Sequence, residues 1–284
     1  MCKAALGADA RMMRNRMSRL AVCEVSTYRW SFEEDVLHYR RRGFEAMGVW
    51  RYKLAEFGEE KAVDFLQEQG MRVSSLHWAG GFTGSDGRTY NESLHDAFEA
   101  IEQAAALNAG CLVILTGSRG GHTKKHSRRI LRDALTQLSE AASACKVQLA
   151  IEPMHVGCAF DFTFLTELPD TLDLIVELNK PNLGIVLDCY HMAHDPNILH
   201  WIPSLIQSIR LVQMGDAKGV PLGEQNRCLL GQGNLPLSDI VRVLEQCGYT
   251  GDYEIELQGE EVEHLDYEEA LDHSAKAIHG WMTV

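Results

Sequence analysis

The stretch LGIVLDCYHMAHDPNILHWIPSLIQSIRLVQ, residues 183–213, decides the fold. It opens on a short apolar run at 183–188, passes through an amphipathic segment at 198–208, and closes on a second apolar run at 209–213. Short runs rich in Ile, Leu and Val are how strands buried on both faces read, and a helix between two of them makes a βαβ unit. Both runs end in a side chain that carries an oxygen donor, Asp188 and Gln213.

The same unit recurs outward in both directions. Apolar runs fall at 20–25, 44–49, 72–77, 111–116, 147–152, 183–188, 209–213 and 253–257. Helical patterns fall at 32–42, 59–69, 94–108, 124–145, 170–178, 198–208, 236–247 and 267–281. Gly43, Gly70, Gly110 and Gly248 stand where C-terminal helix caps belong. Eight strands alternating with eight helices predict an α/β fold, a single-domain (β/α)8 TIM barrel, over residues 19–284. A doubly wound sheet would want a glycine-rich first turn, and no G-x-G-x-x-G follows the first strand. Residues 1–18 carry Arg11, Arg14 and Arg16 among methionines with no apolar segment behind them. They are read as a frayed extension, or as lying upstream of the true start, and not as a secretory signal.

Composition narrows the function classes. The chain has 284 residues, 45% hydrophobic and 24% charged, with a net charge of −13. This acidity disfavours nucleic acid as a partner, and the longest apolar runs are too short to span a bilayer. The eight cysteines are scattered without a C-x-x-C, which fits reduced thiols in the cytoplasm. The expected partner is a small molecule, and a homo-oligomer is allowed.

In a barrel, side chains at the C-terminal ends of the strands converge on one mouth. Strands three to eight end in His77, Thr116, Glu152, Asp188, Gln213 and Glu256. Carboxylates crowded at a mouth repel one another unless a cation neutralises them. Glu152, Asp188, Gln213 and Glu256 present only oxygens, which suits Mn2+ or Mg2+ better than a His/Cys zinc site. Two residues below, Ala150, Val186 and Leu211 suit a packed interior, whereas Glu254 at the same level has no evident partner. Taken singly each donor has a plain alternative, such as Asp188 capping the segment after it.

The stretches A-I-E-P (150–153), L-D-C-Y-H (187–191), L-V-Q-M-G-D (211–216), L-G-Q-G-N-L-P-L (230–237) and Y-E-I-E-L (253–257) resemble the sugar phosphate isomerase/epimerase branch of the xylose-isomerase-like TIM barrels. The resemblance implies that Glu152, Asp188, the strand-seven residue and Glu256 ligate one divalent ion, with Zn2+ or Co2+ as alternatives to Mn2+ or Mg2+. It makes His191 a substrate-orienting or oxyanion-stabilising group. One departure stands out: the family usually has His at the strand-seven position, and this chain has Gln213. Gln ligates through a neutral, weaker oxygen, which shifts the expected ion from Zn2+ toward Mn2+ or Mg2+.

Around the mouth, His77 is expected to aim inward, while His155 and His194 are expected to be exposed. The loop after strand seven carries Asp216, Lys218, Glu224 and Arg227 and reads as a substrate clamp, with Arg227 its anion or hydroxyl anchor. Trp50, Trp78 and Phe82 suit the C–H faces of a sugar ring, or else roof the barrel. His77, Trp50, Trp78, Arg227 and Asp216 are therefore the substrate-binding candidates, and Glu152, Glu256 and His191 the catalytic ones.

The expected activity is metal-dependent isomerisation or epimerisation of a ketose, keto-sugar or polyol-derived carbonyl compound. Glu152 and Glu256 would act as base and acid around an enediolate. If His191 protonated a leaving hydroxyl instead, dehydration or lyase chemistry on a keto-inositol or keto-sugar would follow. Apurinic endonucleases share the fold, but Thr116, Gln213, the absence of a D-x-H and the negative charge argue against that class. Gln213 also allows a metal-free, non-catalytic member.

Overall fold

In the computed structural model, which describes residues 19–223 and 225–282, eight parallel strands close into a barrel in chain order. They are β1 (Leu20–Cys23), β2 (Ala46–Trp50), β3 (Arg72–Gly80), β4 (Cys111–Leu115), β5 (Leu149–Ile151), β6 (Leu183–Asp188), β7 (Ile209–Met214) and β8 (Tyr253–Ile255). The ring closes where Ala21 pairs with Glu254. Around it run α1 (Phe32–Arg41), α2 (Arg51–Phe57), α3 (Glu59–Gln69), α4 (Tyr90–Ala106), α5 (Lys124–Ala144) and α6 (Leu168–Leu178). They are followed by α7 (Cys189–Met192), α8 (Ile198–Leu205), α9 (Leu237–Gln246), α10 (Glu260–Glu263) and α11 (Tyr267–Met282). The expected extension at 1–18 lies outside the described residues.

The pleat sorts side chains as the sequence pattern requires. Cys111, Val113, Leu115, Ala150, Val186 and Leu211 pack together in one buried cluster, while Leu112, Ile114, Leu149, Ile151, Ile185 and Val212 join the larger core that includes the helices. Capping boxes at Ser31–Glu34 and Thr89–Glu92 fix the starts of α1 and α4, each worth about 1 kcal/mol. Gly43, Gly70 and Gly248 adopt positive φ after their helices, as expected. In the turn before β4 that conformation falls to Asn108 (φ 49°). Gly110 serves a different need there, because a Cβ on it would stand 2.6 Å from the Ser74 carbonyl oxygen.

Besides the single-turn helices α7 and α10, which the sequence reading did not contain, two longer elements differ from it. β3 runs on to Gly80, past His77, with a register shift against β4 between Leu76 and Ala79. The helix α2, which has no clear apolar period, follows directly on Trp50. It carries the buried Lys53, whose Nζ bonds the Thr27 carbonyl at 3.0 Å and the carboxylate of Asp35. Among the described residues no helix is long and apolar enough to cross a membrane, and seven cysteines are free.

Candidate active site

A cavity of about 310 Å³ opens at the C-terminal end of the barrel. Glu152, just past β5, and Glu256, just past β8, line it, and His77, Trp50, Trp78, Tyr28, Phe162 and Met154 complete most of its lining. Aromatic and aliphatic walls around a few ionisable groups are the lining expected of a small-molecule site.

Beneath the cavity lie the remaining strand-end donors. Asp188 Oδ1 accepts from the Tyr190 amide at 2.8 Å, and Oδ2 accepts from Arg227 Nη2 at 2.6 Å. Asp188 therefore caps α7, as the plain reading of a lone Asp would have it, and also faces the site. Glu256 is tied down more fully. Its Oε1 lies 2.9 Å from Arg227 Nη2 and accepts from Gln258 Nε2 at 3.0 Å, while Oε2 accepts from Gln213 Nε2. Gln213 thus spends its amide nitrogen on Glu256, and its Oε1 is left buried without a partner.

Arg227 holds this group together. It is 0% exposed, reaching in from the loop after β7 with its guanidinium 4.3 Å from the Tyr190 ring centre. Gly215 makes the passage, since a Cβ there would stand 2.7 Å from Arg227 Nε. A buried guanidinium is tolerable only when paired, and its two carboxylate partners hold it charged.

The electrostatics single out Glu152. Burial pushes its carboxyl well above the ordinary range, and the charges of Glu256 and Asp188 push it further, against the pull of Arg227. Burial likewise raises Glu256, with Arg227 opposing. A buried carboxyl that is costly to ionise is a natural proton carrier. His191 goes the other way. Burial pushes it down to about 3, so the ring is neutral near pH 7. It is 1% exposed, its Nε2 lies 3.5 Å from Asp188 Oδ2 without forming a hydrogen bond, and both ring nitrogens lack partners.

Glu254, unexplained in the sequence, is satisfied in full. Its Oε2 accepts from Ser74 Oγ and Ser75 Oγ, both at 2.6 Å, and its Oε1 lies 2.9 Å from His77 Nε2. Burial disfavours the His77 imidazolium, yet the charge and hydrogen bond of Glu254 outweigh that and raise its pKa. Glu254 is lowered by the same pairing despite its own burial. The cluster needs Gly48, where a Cβ would stand 2.6 Å from Glu254 Oε2.

The structure brings Glu152, Asp188, Gln213, Glu256, His191 and Arg227 together, with His77, Trp50 and Trp78 on the cavity wall. Arg227 lies under the site as a partner of its carboxylates, and not on the loop surface. Asp216 is a correction. Its carboxylate accepts from the amides of Ala217 (2.8 Å), Gly231 (2.8 Å), Gly233 (3.0 Å) and Leu235 (3.3 Å), so it clamps the loop and has no lone pair to spare for substrate. His155 and His194 are half-buried and stacked edge to face, not exposed, and Phe82 belongs to the core. Glu224 lies outside the described residues. Ser74, Ser75, Gln225 and Gln258 also belong to the site, and the sequence does not mark them, because Ser and Gln on strands and loops carry no distinguishing signal.

Residues 38–278 match the family described as xylose isomerase-like TIM barrels. The inosose isomerase of Halalkalibacterium halodurans is 26% identical over 251 residues, covering 84% of this chain and 86% of that protein. The D-psicose 3-epimerase of Enterocloster bolteae is 30% identical over 118 residues, covering 41% of this chain and 36% of that one. Among solved structures, an IolI protein with a bound zinc atom superposes with a TM-score of 0.81 at 20% identity, covering 93% of this chain and 98% of that one.

Proposed function

Because the chain belongs to the xylose isomerase-like TIM barrel family, we propose that its barrel mouth isomerises or epimerises a small ketose, keto-sugar or polyol-derived carbonyl substrate with the aid of one divalent metal ion. The observation that carries the reading is the charge beneath the cavity. Glu152, Asp188 and Glu256 converge there against the guanidinium of Arg227. Full ionisation would leave two negative charges unbalanced, which is the charge of one divalent cation.

The donors suit such an ion. Glu152 and Asp188 supply anionic oxygens, and Gln213 Oε1 is a buried acceptor with nothing to accept from. Glu256 is the least available of the four expected ligands, since Arg227, Gln213 and Gln258 already occupy it. When bound, the ion supplies Lewis-acid polarisation of the substrate's carbonyl and adjacent hydroxyl oxygens.

The chain's own residues do the rest. Glu152, a carboxylate on the cavity wall, takes the proton from the carbon beside the carbonyl. Returned by Glu152 to the neighbouring carbon, while a proton passes between the two substrate oxygens, it yields an isomer; a different proton, carried by Glu256 and delivered to the first carbon from the strand-eight side, yields an epimer, after which solvent returns both carboxyls to their starting states. His77, oriented by Glu254, presents its remaining ring nitrogen to a substrate hydroxyl, and Trp50 and Trp78 cover the C–H faces of the ring. The relatives named isomerase and epimerase support this chemistry, and the zinc in the IolI structure supports the ion.

The test is a panel of keto-sugars and inososes in D2O with EDTA-treated protein, to which Mn2+, Mg2+, Co2+ or Zn2+ is returned. Deuterium uptake beside the carbonyl that depends on the ion is expected. No uptake with any substrate and ion would overturn the reading.

A further inference from the structure

Val25, Tyr28, Leu115, Met154 and Phe162 line the cavity and take no part in the chemistry set out above. Three of them make one continuous surface. Leu115, at the end of β4, and Met154, just past β5, belong to a single buried apolar cluster, and Phe162 packs against it while staying partly open. Phe162 also meets the ring of Trp78 edge to face at 6.5 Å, and Trp78 is 38% exposed. The flank made by β3, β4 and the loop after β5 is therefore apolar and aromatic.

Polar capacity elsewhere in the cavity is short. Gln225 Oε1 accepts from Arg227 Nη1, and Gln258 spends its amide nitrogen on Glu256. His77 gives one ring nitrogen to Ser75 and Glu254. Among the described residues no lysine or arginine lines the cavity. Arg227 is bound to Asp188 and Glu256, and Arg51 donates to the Trp78 carbonyl and to Asp96. A phosphate ester would meet the carboxyl groups of Glu152 and Glu256 with no guanidinium or ammonium to receive it. A bare polyol fares little better, because each hydroxyl pressed against Leu115, Met154 or Phe162 loses its water and gains no partner. An apolar ring pressed there gains burial and aromatic contact instead.

Resting on the carbonyl chemistry of the preceding section, we propose that the substrate is a cyclic keto-sugar or keto-polyol carrying an aromatic substituent in glycosidic or ether linkage. The substituent seats on Leu115, Met154, Phe162 and Trp78. It is a bystander: only protons on the carbon and oxygen atoms at the carbonyl move, and its linkage stays intact. Because a glycosidic bond masks the anomeric carbonyl, a glycoside that reacts here has its free carbonyl on another ring carbon. The substrate is thus a ring ketone, neither phosphorylated nor bare.

The experiment uses the full chain loaded with its best ion and two ring-ketone parents, an inosose and the methyl glycoside of 3-keto-glucose. Each is compared with its phosphate ester and with its aromatic form, the singly benzylated inososes assayed separately and the phenyl glycoside. Initial deuterium uptake gives kcat and KM for each. At least one aromatic form should have a KM about 5-fold or more below its parent with kcat little changed, and the phosphates should do no better than the parents. Phe162→Ser should shrink that KM ratio to below about 2-fold, each ratio being measured within one protein. A smaller advantage for every aromatic form, or a phosphate with the highest kcat/KM, would overturn the substituent and leave the carbonyl chemistry standing. An aromatic preference that survives intact in Phe162→Ser would overturn its seat on this flank. No uptake with any compound would overturn both readings. If Phe162→Ser does not fold, the ratios in the unaltered protein still decide the substrate class.

Discussion

Replacing Arg227 with Met keeps much of its length and removes its charge, leaving Asp188 and Glu256 buried without their guanidinium. Arg227 and Asp188 are both fully buried, at 2.6 Å, and Glu256 lies 2.9 Å from the same nitrogen. Breaking such a pair from one side costs about 3–5 kcal/mol, because the partner charges keep their desolvation penalty. At about 2 °C per kcal/mol for a chain of this size, the thermal midpoint should fall by about 6–10 °C. The loss has a pH signature. Burial and mutual repulsion already raise Glu152 and Glu256, with Arg227 the opposing charge in both cases, so its removal raises them further. At low pH these carboxyls take protons and no longer need the guanidinium, so the gap between wild type and Arg227→Met should narrow as pH falls from 8 toward 5. Midpoints measured by circular dichroism in metal-free buffer across that range give the comparison. A gap below about 1 kcal/mol throughout, or one that widens toward acid, would refute the view of Arg227 as the resident counter-charge.

The His77–Glu254 pair gives a second pH dependence. His77 is raised from 6.5 and Glu254 lowered from 4.5, so the pair's full contribution lies between those ordinary values. It is lost as pH rises through the raised His77 value and as pH falls through the lowered Glu254 value; the midpoint gap to Glu254→Gln should therefore peak near about pH 5.5 and shrink on both sides. Gly48→Ala should destabilise by about 1–3 kcal/mol in urea denaturation, since its methyl would enter the space of Glu254 Oε2, and wild-type stability would show that the cluster yields easily. Asp216→Ala, which frees four backbone amides in the loop after β7, should speed proteolysis between Ala217 and Leu235 and leave the barrel's midpoint changed less than Arg227→Met does.

The barrel was legible because period and composition act locally. A buried parallel strand needs a short apolar run, and the helix beside it an amphipathic face, wherever the rest of the chain lies. The mouth followed from the same register: once a strand is fixed, its last inward side chain is fixed too, so Glu152, Asp188, Gln213 and Glu256 could be named together. What escaped were relations across the ring. Glu254 looked unsatisfied because its partners Ser74 and Ser75 lie about 180 residues away in sequence, on β3. Arg227 looked like a loop charge because nothing local shows that Gly215 leaves room for it to fold under the site. Asp216 looked like a substrate group for the converse reason, since the glycine-rich segment at 231–235 that consumes its oxygens reads as an ordinary turn. Alternation within β3 gave His77 an inward aim, but the strand's continuation to Gly80 depends on pairing with β4 that no local pattern encodes.

The central claim is that Glu152 moves a substrate proton at a metal-assisted barrel mouth. Its most direct test is solvent deuterium uptake by the best substrate from the keto-sugar panel, comparing wild type with Glu152→Gln at matched metal content. Gln keeps the shape and an oxygen donor but cannot accept the proton, so exchange should fall by at least about 10²–10⁴-fold while the ion stays bound. Exchange at the wild-type rate in Glu152→Gln, with metal content unchanged, would contradict the account.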